Sequence, residues 1–219
     1  KLHEKKIDEF FWTNAETPHE RFSTLAFLGA LIGTIVPLLA FGKKQKPTLK
    51  LNSLKNIYEA SKINYSAKEI ITIGYGGALG GLAGGLIDKK EPKKLDKIQE
   101  ANFQLMNIAF PTLLVDSGIK ICSKTKQFNN PFSKIVASGL GMFAGAYSAV
   151  KLCNKTDKMM FNKYNIEPDR KFQKKDCIMH IDDLVGTLVL AKIPFANKLH
   201  LDRILPAIYT WSGFSIGEK

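Results

Sequence analysis

The stretch from Ile70 to Ile87, IITIGYGGALGGLAGGLI, constrains this chain more than any other. Its eighteen consecutive uncharged residues include seven glycines. Two ladders run through it at a spacing of four: Gly76, Gly80, Gly84 and Gly77, Gly81, Gly85. On a helix that spacing strips side chains from a face and lets another backbone come close. In water each interior glycine costs about 1 kcal/mol against alanine, so such a helix would be poor. In a bilayer the backbone has no water to bond and must stay helical, and the bare face becomes a packing surface. The run therefore predicts a membrane-embedded helix with a bundle built around it.

A nucleotide-binding turn is the sharpest rival. Ile70–Ile73 can be parsed as a short strand before Gly74-x-Gly76-x-x-x-Gly80, a variant of the glycine turn that brings a backbone to a pyrophosphate. The ladder, however, continues through Gly84 and Gly85, and no second strand ends in an acidic residue about twenty positions on.

Other apolar blocks support the membrane reading. Phe22–Gly42 holds twenty-one residues without a charge, enough to cross a hydrocarbon core of roughly 30 Å at about 1.5 Å per residue. Thr17-Pro18-His19-Glu20 reads as its start, Gly29 and Gly33 sit four apart, and Pro37 should kink its far half. Asn52–Lys62 suits a short amphipathic helix, and Ser66-x-x-Glu69 opens the glycine helix as a capping box. From Pro92 a helix restarts, uncharged from Ala101 to Val115 and bent at Pro111. Asn130 caps a helix whose core, Ile135–Val150, repeats a small-residue ladder at Ala137, Gly141, Gly145 and Ala149. Matching bare faces predict that 70–87 packs against 135–150.

The fold expected is an all-α polytopic membrane bundle of four to six spans, with candidates at 18–42, 67–87, 98–120, 131–152, 178–196 and 203–217. Residues 1–16 form an interfacial segment or tail, 17–219 the single bundle, and 151–175 a basic connector outside the membrane. The last two candidate spans are short, so 178–217 reads as a spanning hairpin or as paired half-helices. The average hides this pattern: mean hydropathy is −0.08 because lysine-rich connectors separate the apolar blocks. The first long apolar run follows some twenty mixed residues, which is not the form of a cleavable signal peptide.

The formal charge of +12 raises the question of nucleic acid. The basic residues are spread over nearly every connector with no aromatic–basic binding module, so anionic lipid head groups are the expected partner and nucleic acid is not. For six crossings, Lys and Arg number 18 on the side of the termini against 14 on the other, a lean toward cytoplasmic termini. Cys122, Cys153 and Cys177 make no disulfide framework.

Chemistry has few places to reside. Asp176, Cys177, His180 and Asp183 bring metal-ligating types together without matching an established metal motif, and acidic residues also suit the first turn of a helix. Asp116, Asp182, Asp183 and Lys192 interrupt apolar segments; at depth they would have to face one another or a polar path, with Asp183 and Lys192 as a pair. No catalytic residue, metal site or cofactor is assigned. Three functions follow in order: a non-catalytic membrane protein working through helix packing and assembly, as a homo-oligomer or with a membrane partner; a small-solute or ion transporter using Asp116, Asp182 and Asp183; and a membrane enzyme or metal site around His180.

Overall fold

A computed structural model describes residues 23–48, 50, 52–88, 94–161, 181–191 and 198–218. The described residues form an all-α bundle with no sheet. Helix α1 spans Thr24–Gln45, α2 Leu54–Ser61, α3 Ala67–Ile87, α4 Lys94–Lys124, α5 Pro131–Phe161, α6 Ile181–Leu190 and α7 Leu201–Glu218. Four of them, α1, α3, α4 and α5, are long and apolar enough to cross a membrane. The protein is a multi-span membrane helix bundle.

Local chemistry sets the ends of these helices. Helix α1 starts at Ser23, whose hydroxyl accepts the Ala26 amide at 3.3 Å, and Lys43 and Lys44 sit in its last turn, where the helix end is negative. The start signal expected at Thr17 and Pro18 lies outside the described residues. The Ser66 amide donates to a Glu69 carboxylate oxygen at 3.0 Å, the back half of the expected capping box. Asn130 Oδ1 accepts the Ser133 amide at 2.8 Å and opens α5. Pro37 and Pro111 both lie inside continuous helices. Ile70–Ile73 are helical, which removes the strand required by the nucleotide-binding alternative.

Close approaches between backbones define the topology. Gly29 lies against Gly80 and Gly33 against Gly76, so α1 and α3 are antiparallel. Gly77 lies against Tyr209, Gly81 against Gly213 and Gly85 against Gly217, so α7 runs parallel to α3 on another face. Helix α4 returns antiparallel to α3, with Ile108 against Gly74, and α5 folds back on α4. Helix α6, ten residues or about 15 Å long, packs against α7, α4 and α5. Ser23 meets Glu218, so the first and last described segments end on the same side.

One expected pairing is corrected. Segment 70–87 does not take 135–150 as its close partner: α3 packs on α1, α7 and α4, and the α5 ladder faces α4, with Gly141 at Val115 and Gly145 at Pro111. The α4–α5 connection is a short turn, so α5 is bound to its sequence neighbour before any other small-residue face can compete.

The main apolar core gathers Ile70, Ile73, Ile108, Val115, Leu205 and Tyr209 from α3, α4 and α7. Lipid-side positions are equally apolar: Ile32 and Val36 on α1 and Leu140 and Phe143 on α5 are all exposed.

Candidate functional site

Glycine makes the centre of the bundle. A methyl group built on Gly80 would fall 2.8 Å from the Gly29 carbonyl carbon, and one on Gly76 3.0 Å from that of Gly33. On Gly84 it would fall 2.8 Å from the Ala26 Cα. The first ladder therefore faces α1 throughout. The second faces α7: a methyl on Gly77 would fall 2.7 Å from the Tyr209 carbonyl oxygen, on Gly81 3.1 Å from the Gly213 Cα, and on Gly85 2.6 Å from the Gly217 Cα. Ordinary carbon contacts lie at about 3.5–4.0 Å, so no side chain fits at any of these positions. Two ladders offset by one residue point about 100° apart on a helix, and α3 uses them to hold two different neighbours.

The partners repeat the spacing. Gly29 and Gly33 on α1, and Gly213 and Gly217 on α7, each sit four apart, and both pairs are closed by α3 backbone. The α7 pair was not singled out from sequence, although Gly213-x-x-x-Gly217 carried the signal. On α5, Gly141 and Gly145 lie against α4, Ala137 lies beside Gly118 of α4, and Ala149 is fully buried.

Polar residues collect at the end of the bundle where the described chain begins and ends. The Ser23 hydroxyl donates to Asp88 at 3.0 Å, and the Ser23 amide donates to Glu218 at 3.3 Å. Lys97, fully buried, donates from Nζ to the Gly217 carbonyl. That bond satisfies a carbonyl in the last turn of α7 and ties α4 to it. Nearby, Asn102 Nδ2 donates to Thr156 Oγ1 and Asp157 Oδ1, each at 2.7 Å, and the Cys153 thiol donates to Asp157 Oδ2 at 3.4 Å. Asp157 and Cys153 are both buried. This cluster escaped sequence reading because Asp157 lay in a stretch taken as a connector, whereas α5 continues to Phe161.

The expected polar path is only partly described. Asp116 binds Lys120 one turn away on α4 at 2.6 Å. Asp182 and Asp183 fall in the first turn of α6, with side chains outside the described residues. Lys192 lies outside them altogether, as do Asp176, Cys177 and His180. Among the described residues no group of three His, Cys, Asp or Glu side chains is arranged to hold a metal ion.

The opposite end carries α2. Lys46 Nζ donates to the Glu59 carbonyl at 2.5 Å, and Gln45 and Asn64 exchange two hydrogen bonds at 2.8 and 3.0 Å. The Lys62 ammonium holds the Glu59 carboxyl below the usual carboxylate range. Burial, followed by the negative charge of Asp202, pushes the Tyr65 hydroxyl above the usual tyrosine value. That hydroxyl meets no hydrogen-bond partner among the described residues.

Compared with known proteins, the chain matches no family model, no curated protein and no solved structure.

Proposed function

We propose that this chain is a non-catalytic membrane scaffold, a helix bundle that works through its packed shape and through assembly with a second copy or another membrane protein. One observation carries the reading: α3 is held by backbone on two faces at once, by α1 along Gly76, Gly80 and Gly84 and by α7 along Gly77, Gly81 and Gly85. Contacts between backbones are short, numerous and free of side-chain entropy, so they favour one rigid arrangement. The apolar surface that remains, including Leu140 and Phe143 on α5, faces outward and is open to lipid or to a partner helix.

The test compares two double variants of the full chain in native membranes. Cross-linking of the wild type should capture a defined neighbour. Gly80→Leu with Gly81→Leu should abolish that product by opening the bundle, whereas Asp182→Asn with Asp183→Asn should leave it intact. A wild-type chain that captures no neighbour overturns the scaffold reading. So does a solute or ion flux in proteoliposomes that the aspartate variants abolish while cross-linking persists; transport would then take its place. Stoichiometric metal lost on His180→Ala would favour the metal-site alternative.

A further inference from the structure

We infer that the end of the bundle bearing α2 is a docking face for anionic lipid head groups, with α2 lying in the membrane interface. The chain has a formal charge of +12, with 32 Lys and Arg against 20 Asp and Glu. The topology gathers residues 43–69, 116–134 and 198–203 at the α2 end of the bundle, because α1 and α4 finish there and α3, α5 and α7 start there. Those three segments hold thirteen Lys and Arg against four Asp and Glu. Most of the positive surplus is therefore on one face. A count of basic residues per side misses this, because among the described residues the other end balances its lysines with acids such as Asp88, Asp96, Asp157 and Glu218.

The position of α2 identifies lipid as the polyanion. The uncharged run of α1 ends at Gly42 and Lys43 follows, so Gly42 marks the edge of the apolar layer. Gly42 lies against the backbone of Ala60, which fixes α2 at that depth. There α2 presents half-exposed Tyr58 and part-exposed Ile57 beside the exposed Lys55. The Lys62 ammonium sits 4.3 Å over the Tyr58 ring, and Arg203 donates to the Tyr58 hydroxyl at 3.4 Å, so the aromatic is held among cations. An amphipathic helix with an aromatic at head-group depth, ringed by lysine, is the arrangement that meets an acidic lipid surface. Nucleic acid would gain nothing from Ile57 or from the depth of α2.

The test uses the full chain in detergent and follows its melting midpoint as phosphatidylserine or phosphatidylcholine is added, since a ligand that binds the folded state raises the midpoint. Phosphatidylserine should stabilise more than phosphatidylcholine, and 1 M salt should remove the difference. Lys55→Gln with Lys62→Gln should weaken the phosphatidylserine effect by about fivefold in apparent affinity per lysine. Lys151→Gln with Lys155→Gln, at the other end, should leave it unchanged. If the first pair lowers the midpoint in phosphatidylcholine, Lys43→Gln with Lys44→Gln, two exposed side chains, replaces it. Equal stabilisation by the two lipids overturns the inference, as does equal loss from variants at both ends. A larger stabilisation by a single-stranded oligonucleotide than by phosphatidylserine also overturns it and assigns the face to nucleic acid.

Discussion

Substituting Gly80 with alanine adds one methyl group where two helix backbones touch. That methyl would fall 2.8 Å from the Gly29 carbonyl carbon, closer still to its oxygen, and 3.3 Å from the Gly33 Cα. All three atoms are backbone, so no side chain can swing aside. Restoring an ordinary separation of about 3.5 Å requires α1 and α3 to part by roughly 1 Å, and overpacking of this kind costs about 1–3 kcal/mol. The methyl also returns about 1 kcal/mol of helix propensity, so a net loss of up to about 2 kcal/mol lowers the folding equilibrium constant by up to about 30-fold at 1.4 kcal/mol per factor of ten. Gly139 provides the control, because a methyl there meets nothing within 4 Å. Gly139→Ala keeps only the gain in helix propensity, about 1 kcal/mol. Unfolding by sodium dodecyl sulfate titration in mixed micelles can follow the fluorescence of Trp211, which packs on Phe214 at 5.5 Å between ring centroids. Gly80→Ala should unfold at lower surfactant than wild type and Gly139→Ala at the same or higher. Equal midpoints for the two variants would refute the steric reasoning.

Three further outcomes follow from other parts of the structure. Gly145→Ala should destabilise by about 1–3 kcal/mol, because its methyl would fall 2.8 Å from the Phe110 carbonyl carbon, while Gly118→Ala, with nothing nearer than 3.4 Å, should unfold at the same surfactant concentration as wild type or higher. Asn102→Ala removes the donor to buried Asp157 and should cost about 1.5–3 kcal/mol; a loss below 0.5 kcal/mol would show that the carboxylate does not need it. Burial raises the Tyr65 hydroxyl above its unfolded value, so the folded state holds that proton more tightly. The resulting stability is fully present below about pH 10 and is lost as pH rises through the higher folded value. Tyr65→Phe should be neutral at pH 7, since the hydroxyl lacks a partner among the described residues, and should flatten the decline above pH 10.

The existence of the helices was legible because charge and glycine mark them: Phe22–Gly42 and Ile70–Ile87 hold no charged residue, and only a helix satisfies such a backbone in lipid. The choice of partners was not. The α5 ladder at Gly141 and Gly145 has the same spacing as those on α3, and spacing alone does not encode depth or neighbour order. The short α4–α5 turn decided that pairing, and Gly213 and Gly217 gave α3 its second partner. The Ser23 cap was not read from sequence, although a serine just ahead of an apolar run is a good capping residue. The buried cluster at Asn102 and Asp157 was hidden because an acid among lysines reads as a solvated connector until the length of α5 is known.

Lipid as the surrounding solvent is the claim on which the rest depends, and alkaline carbonate extraction of membranes from cells producing the full chain tests it most directly. The chain should remain in the pellet and enter solution only when detergent is added. Recovery in the carbonate supernatant, monodisperse without detergent, would contradict the account.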